Sequence, residues 1–452
     1  MSPYEPVIGL EIHVELCTMT KMFCGCRADW FGTKPNTHVC PVCLGLPGAL
    51  PVPNRTAIEW TVRLSCALGC EINKLSKFDR KHYSYPDLPK GYQISQYDLP
   101  IGFKGSFEYG VADMNSKSYE IKRAGITRVH LEEDTARLTH QGFDSLIDFN
   151  RSGVPLVEIV TEPIFHDSSD VKAFLEDLQR LVRQLEISDA NMEQGSMRLE
   201  PNISVRKVGE SVLPKYKVEV KNINSFRFAK AAIDFEVPRH IEILESGKNP
   251  VQETRGYNED KKITVSQRVK EEAQDYRYFP EPDIPPLVIS ETLIKESESV
   301  FEGSGGNFAQ RLQQRIDQYQ TLGLTRQQSF DLAYVIVQSD EGTTDLLRMI
   351  KDLEVEEDRR LLAKIVVTNP ARAFSWALDE FTHRKEESAA ASTFDATSII
   401  ETVLRDNEAA VTEYKSGKTG ILMFLVGQVM KASGGKANAG AVKEEIEKKL
   451  KG

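Results

Sequence analysis

Ile8-Gly9-Leu10-Glu11-Ile12-His13-Val14-Glu15-Leu16 alternates apolar and other residues along its whole length, the pattern of a β-strand with one face in a core and the other in water. Successive side chains of a strand point to opposite faces. Ile8, Leu10, Ile12, Val14 and Leu16 therefore turn inward, and Glu11, His13 and Glu15 share the other side. Neighbours on that side stand roughly 6.7 Å apart. Two carboxylates and an imidazole at that pitch can lean together onto one divalent cation. An ordinary solvated sheet face shows the same alternation.

Further stretches repeat the pattern. Arg198, Glu200, Asn202, Ser204 and Arg206 alternate with Leu199, Ile203 and Val205, while Lys217, Glu219 and Lys221 oppose Val218 and Val220. Glu158 lies among Val154, Leu156 and Val160, and the same period groups His130, Glu132 and Asp134. Together these strands predict one curved sheet with a charged concave surface, on which Arg198, Lys217 and Lys221 are candidate phosphate-facing cations.

Between the first strand and residue 45 lie Cys24-Gly25-Cys26 and Cys40-Pro41-Val42-Cys43, two close pairs on either side of a turn-rich loop. Four thiolates so spaced suit a closed tetrahedral zinc site, which is structural because no ligand position stays open. The alternative is free cysteines in a small core. Seven cysteines confined to the first 70 residues do not make a secreted disulfide framework.

A helix is expected near residues 57–68. From Asp79 to Gln96, Pro and Gly argue against a helix, while Arg80, Lys81, Tyr83, Tyr85, Lys90 and Tyr92 suit recognition, since aromatic rings stack on bases and cations such as Lys90 hold phosphates. An amphipathic helix follows Ser168-Ser169-Asp170, and another begins near Phe226 and meets Pro238, which is expected to kink or break it. After the proline-dense residues 280–286 the chain turns helical, with Glu302-Gly303-Ser304-Gly305-Gly306 as a link, Thr325 and Gln328 as a capping box, and Glu386-Glu387-Ser388 opening a second boundary.

Composition narrows the class. At 452 residues the chain exceeds one core, and 40% hydrophobic with 27% charged residues is that of a soluble protein without a membrane span or signal peptide, hence expected to be cytoplasmic. A net charge of -10 excludes indiscriminate nucleic-acid binding but not a local patch. From Lys415 onward eight lysines, among them Lys418, Lys431 and Lys436, outnumber three glutamates. That suits either an RNA contact or a solubilising helix. Neither Gly417-Lys418-Thr419-Gly420 nor Gly434-Gly435-Lys436 has the spacing of a P-loop.

The motifs Gly9-Leu-Glu-Ile-His-Val, Val39-Cys-Pro-Val-Cys-Leu-Gly-Leu-Pro-Gly, Tyr85-Pro-Asp-Leu-Pro-Lys-Gly-Tyr-Gln-Ile-Ser-Gln, His130-Leu-Glu-Glu-Asp, Asp148-Phe-Asn-Arg-Ser-Gly-Val-Pro and Asp275-Tyr-Arg-Tyr-Phe-Pro-Glu-Pro-Asp resemble the B-subunit family of the bacterial and organellar aspartyl/glutamyl-tRNA amidotransferases. The resemblance covers nearly the whole chain. It implies an α+β architecture: a β-rich antiparallel cradle with flanking helices over residues 1–290, an all-α domain over 291–392 and a small all-α tail domain over 393–452. It also implies a heterotrimer with an amidase-type A subunit and a small C subunit. In such enzymes the B subunit uses ATP and Mg2+ to phosphorylate the side-chain carboxylate of glutamate or aspartate mischarged on tRNA, and ammonia channelled from the A subunit forms the amide.

Carried residue by residue, the resemblance assigns Glu11, His13 and Glu133 as Mg2+ ligands, with Glu158 as a further catalytic candidate beside them; the spacing of Cys24, Cys26, Cys40 and Cys43 keeps them for zinc, and the tRNA-gripping tail that the resemblance implies makes Lys418, Lys431 and Lys436 candidate tRNA contacts. Strand alternation puts Glu133 on the face of Val129 and Leu131, so this assignment requires a bulge or a strand end at Glu132. Leu199-Glu200-Pro201, Pro238 and Ala439 depart from the family pattern. A zinc-stabilised tRNA-binding scaffold without catalysis is the rival reading.

Overall fold

In the computed structural model the residues described are 3–113, 118–269, 276–302, 308–336, 348–368, 374–393, 396–416, 418, 420–434 and 437–451. The strands along the chain are β1 (Tyr4–Glu15), β2 (Glu71–Ile72), β3 (Leu75–Ser76), β4 (Asp79–His82), β5 (Tyr92–Ser95), β6 (Gly102–Asp113), β7 (Ser118–Glu133), β8 (Arg137–Gln141), β9 (Asp144–Asp148), β10 (Pro155–Thr161), β11 (Met197–Lys207), β12 (Val218–Lys221), β13 (Glu253–Asn258), β14 (Ile263–Val269), β15 (Phe279–Pro280) and β16 (Leu287–Val288). With them come helices α1 (Arg55–Ala67), α2 (Ser168–Gln184), α3 (Phe226–Glu245) and α4 (Glu291–Glu302).

β1 lies at the centre of a sheet ordered β14-β13-β12-β11-β1-β10-β7-β6-β2, whose strands pair antiparallel except for β12 with β13. The alternation of β1 explains its place. Ile8, Leu10, Ile12 and Val14 are all at most 1% exposed and lie in the main core, to which α1, α2 and α3 add their buried sides. Each such aliphatic side chain stabilises by roughly 1.5–3 kcal/mol when fully buried. The opposite face stays half-open, with Glu11, His13, Arg198, Glu200 and Asn202 partly buried.

The helices have identifiable caps. The Asn54 side chain accepts from the amide of Ala57 to start α1, and the Asp167 carboxylate accepts from Ser169 and Asp170 to start α2, at the expected place with the cap one residue earlier. The expected break at Pro238 does not occur, and α3 reads through it. Proline removes one N–H from the ladder, while Ala232, Ile233, Glu236 and His240, buried on both sides of it, anchor both halves. Residues 79–96 are also more regular than expected. β4 and β5 pair as a hairpin, β15 adds a third strand, and Arg80 clasps Glu281 at 2.6 and 2.7 Å to fix it.

The chain divides into two units, the first reaching Ile316 and the second beginning at Asp317. The first unit passes the expected limit of 290 because α4 packs on α1, with Leu293 and Ile294 against the main core. The helices from there are α5 (Phe308–Thr321), α6 (Arg326–Ile336), α7 (Glu356–Thr368), α8 (Phe374–Thr393), α9 (Thr397–Asp406), α10 (Glu408–Lys415), α11 (Ile421–Ala432) and α12 (Ala439–Lys451). The boundary expected near residue 386 falls inside α8. The capping box forms, with the Gln328 amide donating to Thr325 Oγ1 at 3.2 Å. Ile400, Leu425, Val429 and Ile446 centre a small core of the last helices. The link at 303–306, Gly435, Lys436, Gly417, Thr419 and Asp275 lie outside the described residues. Among the described residues no helix is long and apolar enough to cross a membrane.

Candidate active site and metal centres

Sheet register decides which groups meet. On β1, His13 is directly opposite Glu158 of β10 and Arg198 of β11, and Glu158 in turn faces His130 of β7. His13 Nε2 lies 3.5 Å from Glu158 Oε2 and 3.7 Å from Glu132 Oε1. His130 Nε2 is 3.2 Å from the same Glu158 oxygen. One ligand atom from each of His13, Glu132 and Glu158 lies within 4.8 Å of the others. Ser95 Oγ of β5 donates to Glu132 at 2.9 Å, steadying it from above.

The charges are mutually dependent. Burial would push the His13 imidazole down, yet Glu158, Glu132 and Glu200 outweigh it and raise it to about 9. Burial likewise opposes ionisation of Glu158, but His130 and His13 hold it well below the carboxylate range. One imidazole and two carboxylates in mutual reach are a donor set for a divalent cation. These residues fit such an ion, which would replace the imidazole protons as the counter-charge to the two glutamates.

They line a cavity of about 820 Å³, within the range of roughly 300–1,000 Å³ that ligand pockets occupy. Its wall carries cations from several elements: Lys81, Arg128, Arg198, Lys217 and Lys221. Lys81 lies 4.9 Å from the centre of the Tyr276 ring, and Tyr97 and Tyr278 stack at 4.2 Å. Arg198 donates to Asp134 at 2.5 Å, Lys221 is held by Glu200 and Glu219 at 2.8 Å each, and the half-exposed Lys217 lies 3.8 Å from Glu11.

Two expected ligands stand elsewhere. Glu11 is on the cavity wall but binds Asn202 Nδ2 at 3.0 Å, one step along β1 from the cluster. Glu133 is on the opposite face. β7 pairs with β10 in continuous register from Arg128 to Glu133, and the shift lies at Val160/Thr161. No bulge at Glu132 turns the strand, so alternation sends Glu132 into the cavity and Glu133 behind it. There Glu133 accepts from Lys90 Nζ at 2.7 Å and from the Ile94 amide at 2.9 Å. Lys90 is thus a partner of Glu133 and does not line the large cavity. The strand period alone groups Glu132 with His130. It does not bring Lys81, which lies in the basic and aromatic stretch expected to serve recognition, together with Tyr276, because nothing local pairs a lysine with a ring almost two hundred residues away.

Cys24, Cys26, Cys40 and Cys43 also converge, all four sulfurs within 4.8 Å of one another. Cys40 and Cys43 Sγ are 3.9 Å apart, close to the edge of about 3.8 Å that a tetrahedral site with bonds near 2.3 Å requires. The cluster fits zinc. Ser152 Oγ donates to Cys43 O at 3.1 Å, and at the neighbouring Gly153, which adopts φ +83, a Cβ would stand 3.5 Å from Cys43. In the second unit, Lys418 pairs with Glu413 at 3.0 Å and Lys431 lies in the last turn of α11, whereas Lys436 is not described.

Residues 6–295 match the model described as GatB/GatE catalytic domain, and residues 321–450 match that described as GatB domain. The chain belongs to the GatB family. This GatB-family chain is 40% identical over 493 residues to a Carboxydothermus hydrogenoformans protein, covering 100% of this chain and 99% of that one. It is 41% identical over 484 residues to a Thermomicrobium roseum protein and 40% over 483 to one from Caldicellulosiruptor bescii, in both cases covering 99% of each chain. All three relatives are named as the B subunit of an aspartyl/glutamyl-tRNA(Asn/Gln) amidotransferase.

Proposed function

We propose that this GatB-family chain is the kinase and amidation subunit of a glutamine-dependent ligase acting on glutamate or aspartate mischarged on tRNA. The reading rests on one observation above all: His13, Glu132 and Glu158 converge in a cavity walled by cations. A carboxylate does not react with ammonia until its oxygen becomes a leaving group. The γ-phosphoryl group of ATP passes to a side-chain oxygen of the esterified amino acid, releasing ADP. Ammonia then attacks the acyl carbon, phosphate departs with the C–O electron pair, and a proton leaves the nitrogen.

Phosphoryl transfer asks the protein for positioning and charge compensation. Lys81, Arg128, Arg198, Lys217 and Lys221 supply positive charge around the cavity. Asp134 holds Arg198, and Glu200 with Glu219 holds Lys221, before substrate arrives. His13, Glu132 and Glu158 would hold a magnesium ion, which would supply neutralisation of phosphate charge when bound. Tyr83, Tyr276 and Tyr278 line the cavity, and apolar ring surface beside an acyl phosphate disfavours its hydrolysis.

Ammonia comes from an amidase-type A subunit with a small C subunit, and the complex draws its mischarged tRNA from the cytoplasm. The four cysteines hold structural zinc, and Lys418 and Lys431 contribute to a tRNA contact of the tail.

The test is to reconstitute the complex with mischarged tRNA, ATP and glutamine. His13→Ala is expected to abolish amide formation and tRNA-dependent phosphate release while glutamine hydrolysis persists. Amide formation equal to wild type would instead favour a non-catalytic scaffold.

A further inference from the structure

Beside the large cavity is a second, smaller one of about 240 Å³ that the proposed reaction has not used. The charged residues of its lining are three arginines, Arg137, Arg151 and Arg198, against the single carboxylate of Glu193. Trp30 forms its floor. That ring is 6% exposed, and its Nε1 donates to Glu15 Oε2 at 2.9 Å, which fixes its plane. The guanidinium of Arg151 lies 5.7 Å from the ring centre and that of Arg137 6.0 Å. Phe31 meets Trp30 edge-on at 5.7 Å and is 51% exposed at the rim.

The three arginines differ in how much of their bonding is committed. Arg151 gives Nε to Thr135 O at 2.8 Å and Nη2 to Ala136 O at 3.0 Å. Arg198 gives Nη2 to Asp134. Among the described residues no carboxylate or carbonyl accepts from Arg137, although its side chain is held over an aromatic ring. A guanidinium left with its donors open beside two oriented ones is a site for a planar or tetrahedral oxyanion, which arginine holds with paired N–H groups. An exposed ring at the rim adds a stacking surface.

Position narrows the ligand further. Arg198 lines both cavities and is the cross-strand partner of His13. Whatever occupies the small cavity therefore adjoins the His13, Glu132 and Glu158 cluster. Its volume is below the roughly 300–1,000 Å³ of a whole ligand pocket, the size for one unit of a larger molecule.

We infer that this cavity binds a ribonucleotide unit, with its base on Phe31 and its phosphate on Arg137 and Arg151, and so seats one of the two nucleotide-bearing substrates. The inference deepens the proposed function and rests on it for the choice between sources. A ribonucleotide reaches this cluster either as ATP or as the terminal residue of the tRNA carrying the amino acid.

Arg137→Ala and Phe31→Ala remove exposed side chains, and thermal unfolding of each variant checks that the fold is kept. In the reconstituted complex each variant is expected to raise one KM about tenfold, the scale of a lost charged hydrogen bond or stacked base, with kcat and glutamine hydrolysis unchanged. A raised KM for ATP assigns the cavity to ATP, and a raised KM for mischarged tRNA assigns it to the RNA end. Calorimetric titration of the purified chain with AMP reads the cavity without turnover, and Arg137→Ala is expected to weaken that binding by a similar factor. If the complex makes no amide while the AMP difference holds, the proposed function falls and this inference stands. Both KM values unchanged and equal AMP binding by wild type and Arg137→Ala would overturn it.

Discussion

His13 and Glu158 show why single residues decide so much here. Each stands at a crossing of strand pairings, and each has the other as its neutralising partner. Glu236 displays the same logic away from the cavity. Burial opposes its charge, but hydrogen bonds from His240, Arg239 and Thr264 hold the carboxyl at about 2. A depressed carboxylate contributes stability that is present above the unfolded value near 4.5 and lost as pH falls toward 2. At neutral pH Glu236→Gln is expected to destabilise by about 3 kcal/mol. Urea unfolding of both proteins between pH 7 and 3 should show the gap narrowing below about pH 4.5, in the range where the wild-type carboxyl begins to lose its advantage. A gap independent of pH would contradict the role given to its charge. For Lys81, replacement by Met is expected to lower kcat for amide formation roughly 10²- to 10³-fold, the scale of one lost electrostatic donor, measured against unchanged glutamine hydrolysis.

Among elements, β7 is both the most informative and the most misleading. Its period separates Glu132 from Glu133 in the sequence, and the strand keeps that period to its end. The motif resemblance overrides the period and puts Glu133 at the metal. The physical chemistry of a continuous ladder is the better guide. β4 and β5 are not legible in the sequence because their short segments, flanked by residues rich in Pro, Gly and charge, pair, among the described residues, only with each other and with the distant β15. Glu133→Gln should loosen this arrangement: amide exchange at Ile94, whose N–H it accepts, is expected to accelerate, and affinity for a divalent ion to fall about 10- to 100-fold. Unaltered exchange at Ile94 would remove Glu133 from that role. For the cysteine element, metal analysis should return about one zinc per chain, lost in Cys40→Ser together with stability.

At the scale of the whole molecule, the sequence marks where strands give way to helices but misplaces the seams. Glycines and acidic runs near 303 and 386 look alike on paper, yet residue 386 continues an α-helix, because Ala and Glu favour that state when neighbours do not interrupt it. The first unit contains every residue of both cavities, and the last helices have their own core. Ending the chain before Thr397 is accordingly expected to weaken tRNA binding at least tenfold in a filter assay, with a smaller salt dependence because lysines are removed, while ammonia release by the complex continues. Equal affinity after truncation would take the tail out of RNA recognition.

The central sheet draws its cohesion from one set of alternate residues and its reactivity from the other. Selection can therefore rewrite the wet side with little risk to the dry one. It follows that proteins silenced at His13 or Glu158 should still melt cooperatively, since the groups removed belong to a functional surface that is rarely tuned for stability. Such inert forms are suited to capturing loaded RNA in a stalled complex.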